Sequence, residues 1–139
     1  FGVMAELQSE GKVRALGLSE VSVAEIQEAE KHFTVASVQN RYNVSDRKSE
    51  DVLNYCAENG IAFLPWAPLD AGRLAEKGGP VDAAAERLGA THSQVALAWL
   101  LHRSPVMLPI PGTSSVAHLE ANIAAADLEL DDDALTELD

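Results

Sequence analysis

Apolar residues recur along this 139-residue chain in two alternating rhythms. VRALGLS (13–19), VASVQNRYN (35–43), IAFLPWAPL (61–69) and VMLPIPG (106–112) are short, apolar or β-branched runs, the mark of buried strands. Between them the apolar spacing widens to three or four residues, as in amphipathic helices. GVMAELQSEGK reads as a helix with Met4, Leu7 and Val3 on its apolar face and Gly11 as its stop. Residues 22–33 form a helix with Ser22 as N-cap and Glu25 completing a capping box. A third helix, 49–60, has acids in its first turn and closes on Asn59-Gly60. After the glycine-rich interruption DAGRLAEKGGP, residues 81–89 and 93–104 read as two helices. The second is apolar nearly all round, from Val95 to Leu101, and so belongs in the interior. Residues 115–126 form a helix that points Leu119, Ile123 and Ala126 at a core, and 131–138 form a last short one.

The order αβαβαβααβαα implies parallel strands joined by right-handed crossovers, an α/β fold. Two topologies satisfy it: an open doubly wound sheet, or part of a (β/α)₈ barrel. Periodicity does not choose between them. Four strands do not close an eight-stranded barrel, which typically takes ~250 residues. The length fits a single domain over 1–139.

Composition narrows the function classes. Hydrophobic residues make up 47% and charged residues 23%, as in a globular protein in water. No apolar run approaches the ~20 residues that span a bilayer, and the first residues lack the pattern of a signal peptide. Cys56 is the single cysteine, so no intrachain disulfide forms. That usage fits a reducing cytoplasm. The net charge of −12 disfavours nonspecific binding to nucleic acid or to an anionic membrane. It does not exclude an anionic cofactor, because a helix N-terminus binds phosphate locally. The acidic LELDDDALTELD reads as solvated surface.

The densest candidate chemistry lies in PIPGTSSVAHLEAN. Gly112 permits close backbone approach, and Thr113, Ser114 and Ser115 set hydroxyls beside the free amides of a helix N-terminus. Such a place either caps its own helix or seats a phosphate. Trp66, at a strand end, reads by itself as a large core residue. The four histidines lack metal-ligand spacing, so no metal site is expected. Neither GxGxxG, GxxxxGK[ST] nor GxSxG occurs.

EGKVRALGLSE, ASVQNRYN, GIAFLPWAPLDAGRL, SQVALAWLL and LPIPGTSSVAHLEANI stand in the order and spacing of the aldo-keto reductase family. The chain resembles the C-terminal half of that barrel, strands five to eight with their helices. The resemblance implies an NAD(P)H-dependent reductase of aldehydes and ketones, with a nicotinamide cofactor and a small carbonyl substrate as its partners. It implies that Ser19 and Gln39 hold the nicotinamide carboxamide and that Trp66 stacks on the ring. Pro68, Leu69, Gly72 and Leu74 match the loop across the pyrophosphate, which Arg73 approaches. Gly112, Thr113, Ser114, Ser115 and His118 match the adenosine phosphate site, and Asn122 an adenine contact.

Several positions depart from the family pattern. Glycine and histidine stand at 112 and 118, where many members carry lysine and arginine for the 2′-phosphate. NADP(H) over NAD(H) is thus a family expectation; histidine is a cation whose charge depends on pH near neutrality. Ala121 replaces a common glutamate. Glu20 replaces an asparagine, which weakens the carboxamide clamp or turns the side chain outward. The family's catalytic aspartate, tyrosine, lysine and histidine belong to the first half of the barrel, and none of their motif contexts occurs here. Tyr42 and Tyr55 are the only tyrosines, and both read as structural. The chain by itself is therefore expected to hold cofactor without catalysis. The alternative is a non-catalytic half-barrel module that self-associates through its exposed edges or complements another chain. An open flavodoxin-like sheet with no affinity for nicotinamide cofactors is a further reading.

Overall fold

Parallel pairing decides the architecture. The computed structural model describes residues 1–70, 74 and 78–139. Its elements are α1 (Gly2–Ser9), β1 (Leu16–Ser19), α2 (Val23–Glu30), β2 (Val35–Gln39), α3 (Glu50–Asn59), β3 (Ala62–Phe63), α4 (Asp82–Leu88), α5 (His92–Arg103), α6 (Val116–Ala124) and α7 (Asp132–Leu138), with a 3₁₀ turn at Ala125–Asp127. The sheet runs β1-β2-β3, all parallel.

The strands are shorter than the apolar runs suggest, and the expected fourth one is reduced to a single bridge. Met107 pairs in parallel with Phe63. Phe63 N–H donates to the Val106 carbonyl at 2.8 Å, and Leu108 N–H donates to the Phe63 carbonyl at 2.8 Å. The ladder stops there for a covalent reason. In this register the next donor would be residue 65, to the Leu108 carbonyl, and Pro65 carries no amide proton.

Capping follows the sequence closely. Ser22 and Glu25 form the full capping box of α2. Thr91 and Gln94 form another on α5, and Asp131 caps α7. Gly60 ends α3 with φ 67° and Gly89 ends α4 with φ 61°, the left-handed geometry glycine takes without strain.

One sheet face is covered by helices. Leu16, Val35, Val38 and Phe63 are buried there with Ile26 and Ala29 of α2, Val52, Leu53 and Cys56 of α3, and Val95 to Leu100 of α5. Trp99 stacks on Tyr42 with ring centres 5.9 Å apart and 14° between planes, and Tyr42 meets Phe63 edge-on at 5.9 Å. The other face carries small and polar residues: Gly17 and Ala36 are exposed, while Ser37, Gln39 and Ala62 are half-buried. Gly17 lies opposite Ser37 in register. A β-carbon there would collide with the Ser37 hydroxyl, so glycine permits the pairing.

Two helices depart from expectation. Helix α1 buries no residue; Val3 is 69% and Met4 42% exposed. Leu119 and Ile123 of α6 are 50% and 63% exposed, and Ala126 beyond it is exposed too. The apolar stripes exist, but among the described residues none covers Val3, Met4, Leu119 or Ile123. In chain order α1 precedes β1 and α6 follows the Met107 bridge.

Candidate functional site

The site is built at the C-terminal tips of the strands. Ser19 and Gln39 are register partners at the ends of β1 and β2. Beyond β3, Trp66 pairs in parallel with Arg41, and Trp66 N–H donates to the Asn40 carbonyl at 3.1 Å. Gln39 and Arg41 are two residues apart, so Ser19, Gln39 and Trp66 share one sheet face. Three of the expected contacts thus stand side by side on one rim.

Buried asparagines hold that rim. The Asn40 side chain accepts from Val21 N–H at 3.0 Å and donates to the Val21 carbonyl at 2.8 Å, pinning the turn after β1. Asn43 donates to the Ala67 carbonyl at 3.0 Å and accepts from the amides of Ser45 and Asp46 at 2.9 Å each. Both satisfy backbone groups, as residues of this type do at strand ends. Arg41 bridges to Asp70 at 2.7 Å and to Asp46 at 3.1 Å, and its guanidinium lies 5.3 Å from the centre of the Trp66 ring. Glu20 accepts hydrogen bonds from Arg41 N–H, at 2.8 Å, and from the Trp66 indole N–H. Its side chain therefore reaches into the rim rather than turning away.

Three residues after Trp66 the rim opens into a second feature. A cavity of about 340 Å³ is lined by Leu69, Thr91, Ser93, Gly112, Thr113, His118, Ala121 and Asn122. Five of the expected cofactor residues meet here: Leu69, Gly112, Thr113, His118 and Asn122. Ser115 instead caps α6, accepting from His118 N–H at 3.4 Å, and Thr113 accepts from Ser115 N–H at 3.1 Å. Capping and cavity-lining thus coexist in one turn. Ser114 is exposed and Pro68 is buried. Gly72 and Arg73 lie outside the described residues.

Thr91 and Ser93 are cavity residues that the linear reading missed. Thr91 is legible as an N-cap by its spacing to Gln94, but its approach to Gly112, 21 positions on, is a property of the fold alone. Arg41 and Asp70 were likewise silent in sequence. A larger apolar groove, about 500 Å³, lies between α5 and α6 and includes Leu101, Ile110, Leu119 and Ile123.

The remaining reactive groups are committed to structure. Burial raises the Tyr42 hydroxyl, against the pull of Arg103 and Arg47, and this hydroxyl donates to Glu50. Tyr55 donates to Glu30 at 2.7 Å, and that bond raises its hydroxyl. Burial pushes the Cys56 thiol up to about 11. Among the described residues no helix is long and apolar enough to cross a membrane.

Known proteins share this sequence and fold. An uncharacterised oxidoreductase of Schizosaccharomyces pombe is 52% identical over 139 residues, covering all of this chain and 45% of the relative. Pyridoxine 4-dehydrogenase of Escherichia coli is 46% identical over 137 residues, covering 99% of this chain and 48% of the relative. The chain thus spans about half the length of the curated relatives it matches. A thermostable aldo-keto reductase solved with the inhibitor epalrestat superposes with a TM-score of 0.88 at 32% identity, over 98% of this chain and 51% of that one. An aldo/keto reductase of Klebsiella pneumoniae in complex with NADP and acetate gives a TM-score of 0.83 at 32% identity, over 98% and 50%. The four strand positions are those of one half of such a barrel, not of a flavodoxin-like sheet. The Aldo/keto reductase family profile matches residues 1–139 from end to end, and the chain belongs to that family.

Proposed function

We propose that residues 1–139 form one domain, the cofactor-holding half of an NAD(P)H-dependent reductase of aldehydes or ketones. The observation that carries this reading is continuity. The carboxamide-sized polar pair Ser19–Gln39, the Trp66 indole and the hydroxyl-lined cavity at Gly112 follow one another along a single rim. The donor set suits a dinucleotide: neutral amide and hydroxyl groups at one end, a flat aromatic ring beside them, and helix-end amides with Thr91, Ser93 and Thr113 at the other. The space beside Gly112 is open, since an added β-carbon would meet nothing within 4 Å.

In this reading the chain binds and orients. When bound, reduced nicotinamide supplies hydride to a carbonyl carbon. Ser19 and Gln39 fix the carboxamide and with it the ring rotation. Trp66 covers one ring face and excludes water there, which selects the face that meets the substrate. Pro68, Leu69, Gly72 and Arg73 belong to the loop across the pyrophosphate, and His118 and Asn122 address the adenosine end. The proton for the carbonyl oxygen is expected from a residue outside these, and Tyr42 and Tyr55 donate instead to Glu50 and Glu30. NADP(H) is favoured over NAD(H) by the NADP and NADPH held in the Klebsiella structures. Cysteine usage supports a cytoplasmic setting.

Titration of the purified protein with NADPH and NADH, followed by fluorescence, tests this. Saturable binding is expected, and His118→Ala should weaken NADPH by about two- to fivefold more than NADH, the scale of one exposed charge contact. Absence of saturable binding sinks the proposal. Residues 1–139 alone should not consume NADPH with an aldehyde, and steady turnover would refute that part.

A second reading has its own observation. Phe1, Val3 and Met4 at and before α1 and Leu119 and Ile123 on α6 are large apolar residues left exposed. Surfaces of this kind favour association, so the chain would pair with a second copy or with a complementary half. A stable monomer in sedimentation argues against it.

A further inference from the structure

Glu20 stands where the tips of all three strands meet, in a conformation it would not choose freely. Its φ is 54°, in the left-handed region, where glutamate is uncommon outside tight constraints. Its amide donates to the Gln39 carbonyl at 2.9 Å. One carboxylate oxygen takes Arg41 N–H at 2.8 Å and also the Trp66 indole N–H. The residue that follows is held by both ends of the Asn40 side chain. The strained backbone is thus fixed on either side, and the carboxylate is aimed at the edge of the Trp66 ring.

Arg41 completes the arrangement. Its guanidinium lies over the same ring at 5.3 Å and is anchored by Asp70 and Asp46. The indole is gripped by its edge and covered on one face. A planar ligand stacking on Trp66 would take the opposite face. An aromatic ring held only by packing can rock about its χ angles; one bonded through Nε1 to a carboxylate cannot do so without breaking a charge-assisted bond.

Building on the proposed function, we infer that Glu20 is a positioning residue: it sets the pitch of the Trp66 ring against which nicotinamide stacks, and so fixes cofactor affinity without itself touching the reacting atoms. The substitution that breaks the family's carboxamide pattern thereby gains a role. Glutamate is one methylene longer than asparagine, and its carboxylate meets the indole edge.

The test reads the ring and the cofactor separately. Trp66 and Trp99 are the two tryptophans of the chain, and Trp66→Phe assigns their indole N–H signals in a ¹H–¹⁵N correlation spectrum. In Glu20→Ala the Trp66 signal should move and its proton should exchange with water at least ~10-fold faster. The Trp99 signal, bonded to Asp139 at 3.1 Å, should stay in place. The NADPH dissociation constant should rise about 5- to 20-fold. Glu20→Gln keeps an acceptor oxygen and should restore part of both effects. In a Trp66→Phe background, Glu20→Ala should change affinity less than about twofold, since its effect runs through the ring. An unmoved Trp66 signal in Glu20→Ala, or losses that simply multiply in the double variant, overturns the inference and leaves cofactor binding intact. If the native protein binds no NADPH, both this inference and the proposed function fall.

Discussion

Trp99 is the side chain on which the placement of α5, and through it the cavity wall at Thr91 and Ser93, most depends. It is 1% exposed. It stacks on Tyr42, lies under the Arg47 guanidinium at 4.6 Å and donates to Asp139 at 3.1 Å. Replacing it by alanine removes a large buried surface and leaves a cavity, a loss of about 3–5 kcal/mol. The aromatic and cation–π contacts account for about 0.5–2 kcal/mol each beyond simple burial. At a urea slope of ~2 kcal/mol/M, the midpoint of unfolding by far-ultraviolet circular dichroism should fall by about 1.5–2.5 M. Trp99→Phe keeps most of the volume and loses the indole donor, so it should cost only about 1–2 kcal/mol. The interaction with Arg47 is separable. Arg47→Ala should cost about 0.5–1 kcal/mol less when Trp99 is already alanine. A Trp99→Ala loss below about 1 kcal/mol would refute the packing argument. Additive effects of the two substitutions would refute the Arg47 contact. Arg47 also donates to the Leu138 and Asp139 carbonyls, so the same pair ties the end of α7 to the core.

Two further outcomes follow from ionisation. Cys56 is fully buried and its thiol is pushed from 9.0 up to about 11, so at neutral pH it carries roughly a hundredfold less thiolate than an unshifted thiol. Alkylation of the native protein by iodoacetamide should be slow and should accelerate on adding urea; rapid native labelling would contradict the burial. Asp131 is held below the ordinary carboxylate range, first by Arg87 and then by the Ala134 amide that it caps. A carboxyl lowered in the folded state stabilises fully above its unfolded pKa of about 4 and loses that contribution as pH falls through the folded value. Denaturation midpoints should therefore drop on acidification below about pH 5, and Arg87→Met should flatten that drop. Equal acid sensitivity in the variant would remove Asp131 from the explanation.

Much of the fold is legible in local chemistry. The Ser22–Glu25 and Thr91–Gln94 boxes and the glycine stops at Gly60 and Gly89 depend on neighbours in the chain, so their positions can be read directly. The apolar stretch from Val95 to Leu100 announces its burial for the same reason, since a helix without a polar side has nowhere else to go. Motif words carry the family resemblance and, through it, the rim of Ser19, Gln39 and Trp66. The apolar stripe of α6 is also real in sequence, but whether it is covered is not a local property. Leu119 and Ile123 stay exposed because none of the described residues packs over them.

Residue order alone determined the alternation of short strands and capped helices, because period and capping are matters of a few adjacent side chains. The three-dimensional arrangement decided the rest. It cut the fourth strand to one bridge at Met107, because Pro65 on the facing strand has no amide for the next rung. It brought Thr91 and Ser93 against Gly112. It turned Glu20 inward to the Trp66 indole, an outcome that required three strand tips to converge and that no single segment of the chain contains.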